Sequence, residues 1–262
     1  MEKRDIKLVR LFLNQLNSDR AGDYAITEQP DQTDRRNKAV EAIATDGRGN
    51  SIAVEHTLIQ PFIGDKADTQ PLLKVFAPLE ADPAFVLPEH EIMVFVPVGG
   101  VQRGMKWDDL TAEIQVWFQN MKASLPEGTS KQAFSKVHRQ LTISISKTYR
   151  PGLAGKVFML RSGMPPDFAE VIRTALKAKL PKLSAATASE RVLLLEKDSL
   201  PHSDHDIAVV IEKLASEFTE LQSIAVDAIW VVDTVAWDTE DFLYFMPVWP
   251  EKVRGYSVWR RF

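Results

Sequence analysis

Residues 39–57, AVEAIATDGRGNSIAVEHT, decide the reading of this chain. Two short β-compatible runs, 39–45 and 51–57, flank Asp46-Gly47-Arg48-Gly49-Asn50, whose glycines suit the positive φ angles of a tight connection. The segment therefore reads as a β-hairpin. With the turn centred on Arg48, Thr45 faces Ser51, Ile43 faces Ala53 and Glu41 faces Glu55. Directly opposed residues share a sheet face with Cβ atoms about 4.5–5.5 Å apart. Two carboxylates so placed repel unless something positive lies between them, and a divalent cation held by oxygen ligands serves that purpose. A slip of one residue sends the two glutamates to opposite faces, so the reading depends on an odd-length loop.

The acidic pair has neighbours in sequence. A short strand is expected near residues 23–27, and it runs into a polar loop that contains Glu28, Pro30, Asp31 and Asp34. One of these acids, Asp31 or Glu28, is a candidate to join Glu41 and Glu55 around Mg²⁺ or Mn²⁺. A solvated loop with its own Asx-turns explains the same residues without a metal. His56 alternates away from Glu55 in a regular strand, so a hydrogen-bonded histidine on the opposite face is expected there.

Around the hairpin the chain alternates helices and strands. Ile6, Val9, Phe12, Leu13 and Leu16 form one stripe of an amphipathic helix over 4–17. Five prolines between 58 and 88 argue against continuous secondary structure there. A strand over 91–98, a helix over 108–122 with stripe Leu110, Ile114, Trp117, Phe118 and Met121, and strands over 139–146 and 156–161 follow. A helix opened by Asp167 and ended by Pro181 comes next, with Phe168, Val171, Ile172, Ala175, Leu176 and Leu180 as its buried face. The run Val192-Leu193-Leu194-Leu195 reads as a strand covered on both faces. Ser203 and Asp206 form a capping pair for a helix with stripe Ile207 to Leu221, and strands follow at 228–233 and, as an edge, 242–249. Strand, helix and strand in that order make a βαβ unit, so part of the sheet is parallel. The expected class is α/β, elaborated towards α+β. A central mixed sheet is flanked by helices in a single domain, residues 1–262, with 62–161 as a strand and helix insertion.

Composition bounds the function. The chain has 262 residues, 45% of them hydrophobic and 26% charged, with a net charge of −4, so no global basic field exists and any nucleic-acid contact depends on a local patch. No cysteine is present, which removes thiolate chemistry and disulfides. Charges interrupt the apolar positions of the first sixteen residues, and no apolar run approaches a membrane span of about 20 residues, so a cytoplasmic protein is expected. Dinucleotide, P-loop, esterase-elbow and zincin motifs are missing. His202-Ser203-Asp204-His205-Asp206 is dense in metal-ligating types, but it stands where a helix begins and reads as a cap. Arg254, Arg260 and Arg261, with Trp249, Tyr256 and Trp259, form a basic-aromatic C-terminal segment that can touch DNA or RNA or simply pack its rings.

A helix, a three-strand meander with an acid on its second strand and a further acid on its third, then helix and strand, resembles the core of the PD-(D/E)xK restriction-endonuclease-like superfamily. The Pro-Asp at 30–31 and the strand ending in IAVEHT resemble a bacterial branch of it. The likeness covers residues 4–57 and 190–233, with the middle unmatched. It implies a restriction-endonuclease-like core with a large insertion and a Mg²⁺- or Mn²⁺-dependent nuclease. Glu41 stands for the second-strand aspartate, and Glu55-His56-Thr57 stands for the acid-x-lysine. Thr57 replaces the lysine that helps position water in that family, so a catalytic lysine has to come from elsewhere, with Lys38, Lys66 and Lys147 as candidates. Without one, the fold implies a non-catalytic nucleic-acid- or protein-binding module with a degenerate site.

Overall fold

The computed structural model describes residues 3–33, 39–134, 141–163, 165, 167–198, 202–218, 226–235, 242–250 and 258–261. Lys38, Asp34, Leu221, Arg254 and Tyr256, singled out above, lie outside the described residues. The chain divides into two compact units, Met1–Ile63 with Asp167–Phe262, and Gly64–Pro166.

The first unit is built on a seven-stranded mixed sheet. Helix α1 (Arg4–Arg20) precedes a meander of β1 (Ala25–Glu28), β2 (Ala42–Thr45) and β3 (Ser51–Leu58), with a single helical turn, α2 (Pro30–Thr33), between the first two strands. The hairpin forms in the odd-loop register: Ala42 pairs with Val54, Ile43 with Ala53, Ala44 with Ile52 and Thr45 with Ser51. Asp46 organises the turn by accepting from the Arg48 and Asn50 amides, and Gly49 takes the positive φ of 86° that a side chain would disfavour.

On the far side of the insertion come α5 (Phe168–Ala185), β8 (Glu190–Lys197), α6 (Asp204–Leu214), β9 (Ala228–Asp233), β10 (Phe242–Trp249) and β11 (Val258–Arg261). The strand order is β1-β2-β3-β8-β9-β10-β11, with β3, β8 and β9 parallel at the centre and antiparallel wings. The leucine run of β8 is buried on both faces, as its continuous apolar character requires. Alternation splits the core into two layers. Ala53, Leu193, Leu195, Ile229 and Val231 pack with the apolar faces of α5 and α6, whereas Ala42, Val54, Val192, Leu194 and Trp230 pack with α1. The protein is α/β, with a central mixed sheet flanked by helices.

The second unit holds α3 (Asp65–Ala81), β4 (His90–Pro97), α4 (Trp107–Met121), β5 (Gly128–Phe134), β6 (Leu141–Tyr149) and β7 (Lys156–Ser162). Its four-stranded sheet runs β5-β6-β4-β7 and has its own core, in which Phe76, Phe118 and Phe134 are fully buried. The α4 stripe lies in this core through Leu110, Ile114 and Phe118.

Three expectations are corrected. Residues 58–88 contain the 17-residue helix α3 despite Pro71 and Pro78. Each proline removes one rung of the ladder, but they are spaced seven apart on one face, and the buried Pro71, Val75, Phe76 and Leu79 anchor the helix around them. Pro181 likewise fails to end α5, because Leu180 and Leu183 on either side are buried and carry the helix to Ala185. Strand β10 is not an edge, since β11 pairs outside it. Strand β5 was not expected from the sequence at all. Among the described residues no helix is long and apolar enough to cross a membrane.

Candidate functional site

The pleat of β3 sends Glu55 towards α5 and His56 towards α1, so two adjacent residues serve two different faces. Glu55 is wholly buried. Its Oε2 accepts from the Glu41 backbone N–H at 3.1 Å, and this bond continues the hairpin pairing one residue beyond the end of β2. Its Oε1 accepts from Lys179 Nζ at 2.5 Å and from Lys182 Nζ at 3.0 Å, both from α5. The positive charge that two facing carboxylates demand is thus supplied in part by helix lysines three residues apart, on neighbouring positions of one face. Lys179 Nζ also stands 3.9 Å from Glu41 Oε1, between the two acids.

On the α1 face, His56 Nε2 is 3.0 Å from Glu196 Oε2, in a wholly buried pair. Glu196 Oε1 accepts from Arg4 Nη2 at 2.8 Å and from the Thr234 hydroxyl at 2.8 Å. Burial opposes the charge on Glu196, but the hydrogen bonds from His56, Arg4 and Thr234 outweigh it and hold this carboxyl down at about 2. Being ionised, Glu196 can only accept, so His56 Nε2 is the donor. The other ring nitrogen, Nδ1, lies 3.7 Å from Asp5 Oδ1 and 3.8 Å from Glu41 Oε2, beyond hydrogen-bond range of both.

Glu41 links the two faces. One oxygen approaches Lys179 and the other approaches His56. Its Oε2 is buried with no hydrogen-bond partner among the described residues. Burial, above all, together with the nearby Glu55 and Asp5 charges, pushes its carboxyl up to about 7, against the pull of His56 and Lys179. No protein-family model, curated protein or solved structure matches this chain.

The structure brings Glu41 and Glu55 together as the hairpin register requires. Glu28 and Asp31 are exposed, and the Asp31 amide donates to the Val40 carbonyl beside Glu41; neither is a member of the acid and histidine group, which among the described residues is Asp5, Glu41 and His56. Lys66 is an exposed residue of α3, and Lys147 donates from β6 to the Ala123 and Leu125 carbonyls. The lysines that do reach Glu55, Lys179 and Lys182, were absent from the candidates, as were Asp5 and Glu196. The 202–206 cluster is structural. Ser203 and Asp206 form the capping box of α6, Asp204 pairs with Lys197 at 2.8 Å, and His202 stacks on Phe168 while donating to the Pro61 carbonyl.

Glu196 makes a first prediction. Its folded pKa lies below the ordinary value of 4.5, so its stabilising contribution is complete above pH 4.5 and is lost as pH falls towards about 2. In urea unfolding followed across that window, Glu196→Gln is expected to remove an acid-dependent loss on the order of 3 kcal/mol. An unchanged acid slope in the variant would contradict the assignment.

Proposed function

We propose that the first unit is a divalent-cation-dependent phosphodiester hydrolase, a nuclease acting on DNA or RNA in the cytoplasm. The observation that carries this reading is the convergence of Lys179 and Lys182 on the hairpin carboxylates, which provides an ammonium where Thr57 removes one. The order α1, meander, α5, β8 supports it as well, since the resemblance to the restriction-endonuclease-like core rests on that order. The buried Oε2 of Glu41 suits a cation ligand, because a cation would supply the charge that no donor among the described residues does. A Mg²⁺ or Mn²⁺ ion held at Glu41 supplies a more acidic bound water and offsets charge on phosphorus.

The side chains do the rest. Glu55, pinned by three donors, keeps Lys179 at the carboxylate pair, where its ammonium can orient water or a phosphate oxygen. Lys182 places a second ammonium on Glu55 Oε1. One observation favours a second reading, a non-catalytic nucleic-acid- or protein-binding module: the two lysines already neutralise Glu55 without any cation.

Incubating the protein with single- and double-stranded DNA and RNA in Mn²⁺ or Mg²⁺ separates the two. Metal-dependent cleavage that falls at least 100-fold in Glu41→Ala and in Lys179→Met is expected for the hydrolase. Cleavage that survives both substitutions, or none by the natural sequence, rejects it.

A further inference from the structure

The geometry points to a cation site of mixed oxygen and nitrogen ligands, Asp5, Glu41 and His56, that prefers a borderline transition-metal dication such as Mn²⁺, Co²⁺ or Zn²⁺ over Mg²⁺. The inference builds on the hydrolase reading by naming the ion that would serve it and by placing that ion on the α1 side of Glu41, away from the lysine-capped Glu55.

Four observations carry it. The three ligand atoms all lie within 4.8 Å of one another. Nδ1 of His56 is 3.7 Å from Asp5 and 3.8 Å from Glu41, and two ligands each about 2.1 Å from one ion stand roughly 3–4 Å apart. Second, the His56 side chain is only 4% exposed, yet its Nδ1 is aimed at two carboxylates with no hydrogen bond within range. Nε2 is engaged by Glu196, so Nδ1 is the ring nitrogen left to face the two carboxylates, and one nitrogen and two oxygens converge on the same point. Third, Glu41 Oε2 is buried and lacks any donor among the described residues. Fourth, the carboxylate–histidine pair is the arrangement that fixes the tautomer and ring plane of a metal-bound imidazole, which makes Glu196 a positioning residue. Arg4 and Thr234 hold Glu196 in turn.

The chemistry of the set decides the ion. Imidazole suits transition metals, whereas Mg²⁺ demands near-ideal octahedral oxygen ligation. Asp5 is half exposed at the first turn of α1 and leaves the outer side of the site open to solvent and substrate.

Titration with Co²⁺, read by its visible d–d absorption, tests the assignment on the full chain. One equivalent is expected to bind and to be displaced by Mn²⁺ far more readily than by Mg²⁺, with at least a 100-fold difference in the concentration required. His56→Gln is expected to abolish the band, and Glu196→Gln to weaken binding 10- to 100-fold. Because His56 is buried, Asp5→Asn is the control that leaves the core intact, and it is expected to weaken Co²⁺ binding at least tenfold. Unchanged Co²⁺ affinity in Asp5→Asn, or displacement by equal Mg²⁺, overturns the site. Cleavage that needs Glu41 and Lys179 but ignores Asp5→Asn and His56→Gln would sink this site while leaving the hydrolase standing. Co²⁺ binding with no cleavage by any ion would do the reverse.

Discussion

Glu41→Gln is expected to stabilise the metal-free protein by about 3 kcal/mol at pH 8 while erasing its affinity for Mn²⁺. The Glu41 carboxyl titrates at about 7 in the fold, against 4.5 ordinarily, chiefly because it is buried. A raised folded pKa means that the unfolded chain ionises first as pH rises. The favourable contribution of the neutral form is therefore complete below pH 4.5, declines through the window from 4.5 to 7, and is gone above it. The shift corresponds to about 3 kcal/mol at 1.36 kcal/mol per unit. Glutamine is permanently neutral and nearly isosteric, and Oε2 has no hydrogen bond to lose among the described residues. Urea unfolding at pH 4.5, 6 and 8 in the presence of a chelator provides the check. The two proteins should be equally stable at pH 4.5 and diverge steadily above it. Equal stability at pH 8 would show that Glu41 carries no buried charge. A carboxylate that costs stability at neutral pH, at a position where an amide would not, is the mark of a group kept for a ligand or a reaction.

How much of this was legible beforehand varies with the kind of signal. The hairpin register followed from an odd loop with glycines and from the period of two, and those rules hold locally, so Glu41 and Glu55 were found. The α6 cap was read equally well, because a capping box is a three-residue pattern. The partners of the acids were not, for different reasons. A proline signals a helix end, which places Lys182 outside α5, yet a single missing rung is outweighed by burying Leu180 and Leu183. Asp5 and Arg4 lie in a helix whose local signal is its apolar stripe, and their neighbours, from Glu41 to Thr234, are 36 to 230 residues away in sequence. Glu196 directly follows the leucine run of β8 and carries no local sign of a partner. Only the parallel pairing of β3 with β8 sets it beside His56, on the same face and one pleat further along. That pairing crosses the whole second unit in sequence, so no local period encodes it. The alternation of apolar side chains on β3 did show which way His56 would point, and the hydrogen-bonded partner expected there is Glu196.

Replacing both α5 lysines by methionine is expected to cost the fold on the order of 3–5 kcal/mol, the range for breaking a buried ion pair from one side. Glu55 is 0% exposed, and after Lys179→Met and Lys182→Met it retains, among the described residues, only the Glu41 amide as a donor. Methionine keeps most of the side-chain length and a good helix propensity, so the change is mainly one of charge. Each single substitution leaves one ammonium on Oε1 and should cost less than half of the double. The pair is therefore non-additive, and a double-mutant cycle in urea measures the coupling. Adding Glu55→Gln to the double variant removes the stranded charge and should restore most of the loss. A double variant as stable as the natural sequence, or one that Glu55→Gln fails to rescue, would falsify the charge network. Stability and function then separate the two lysines. Both touch Glu55, but Lys179 alone is also within 4 Å of Glu41, so it alone bridges the two carboxylates. For single variants of comparable stability, cleavage should be lost in Lys179→Met and largely kept in Lys182→Met. Equal loss in both would mean that the lysines act only by neutralising Glu55 and that Lys179 has no separate role at the carboxylate pair.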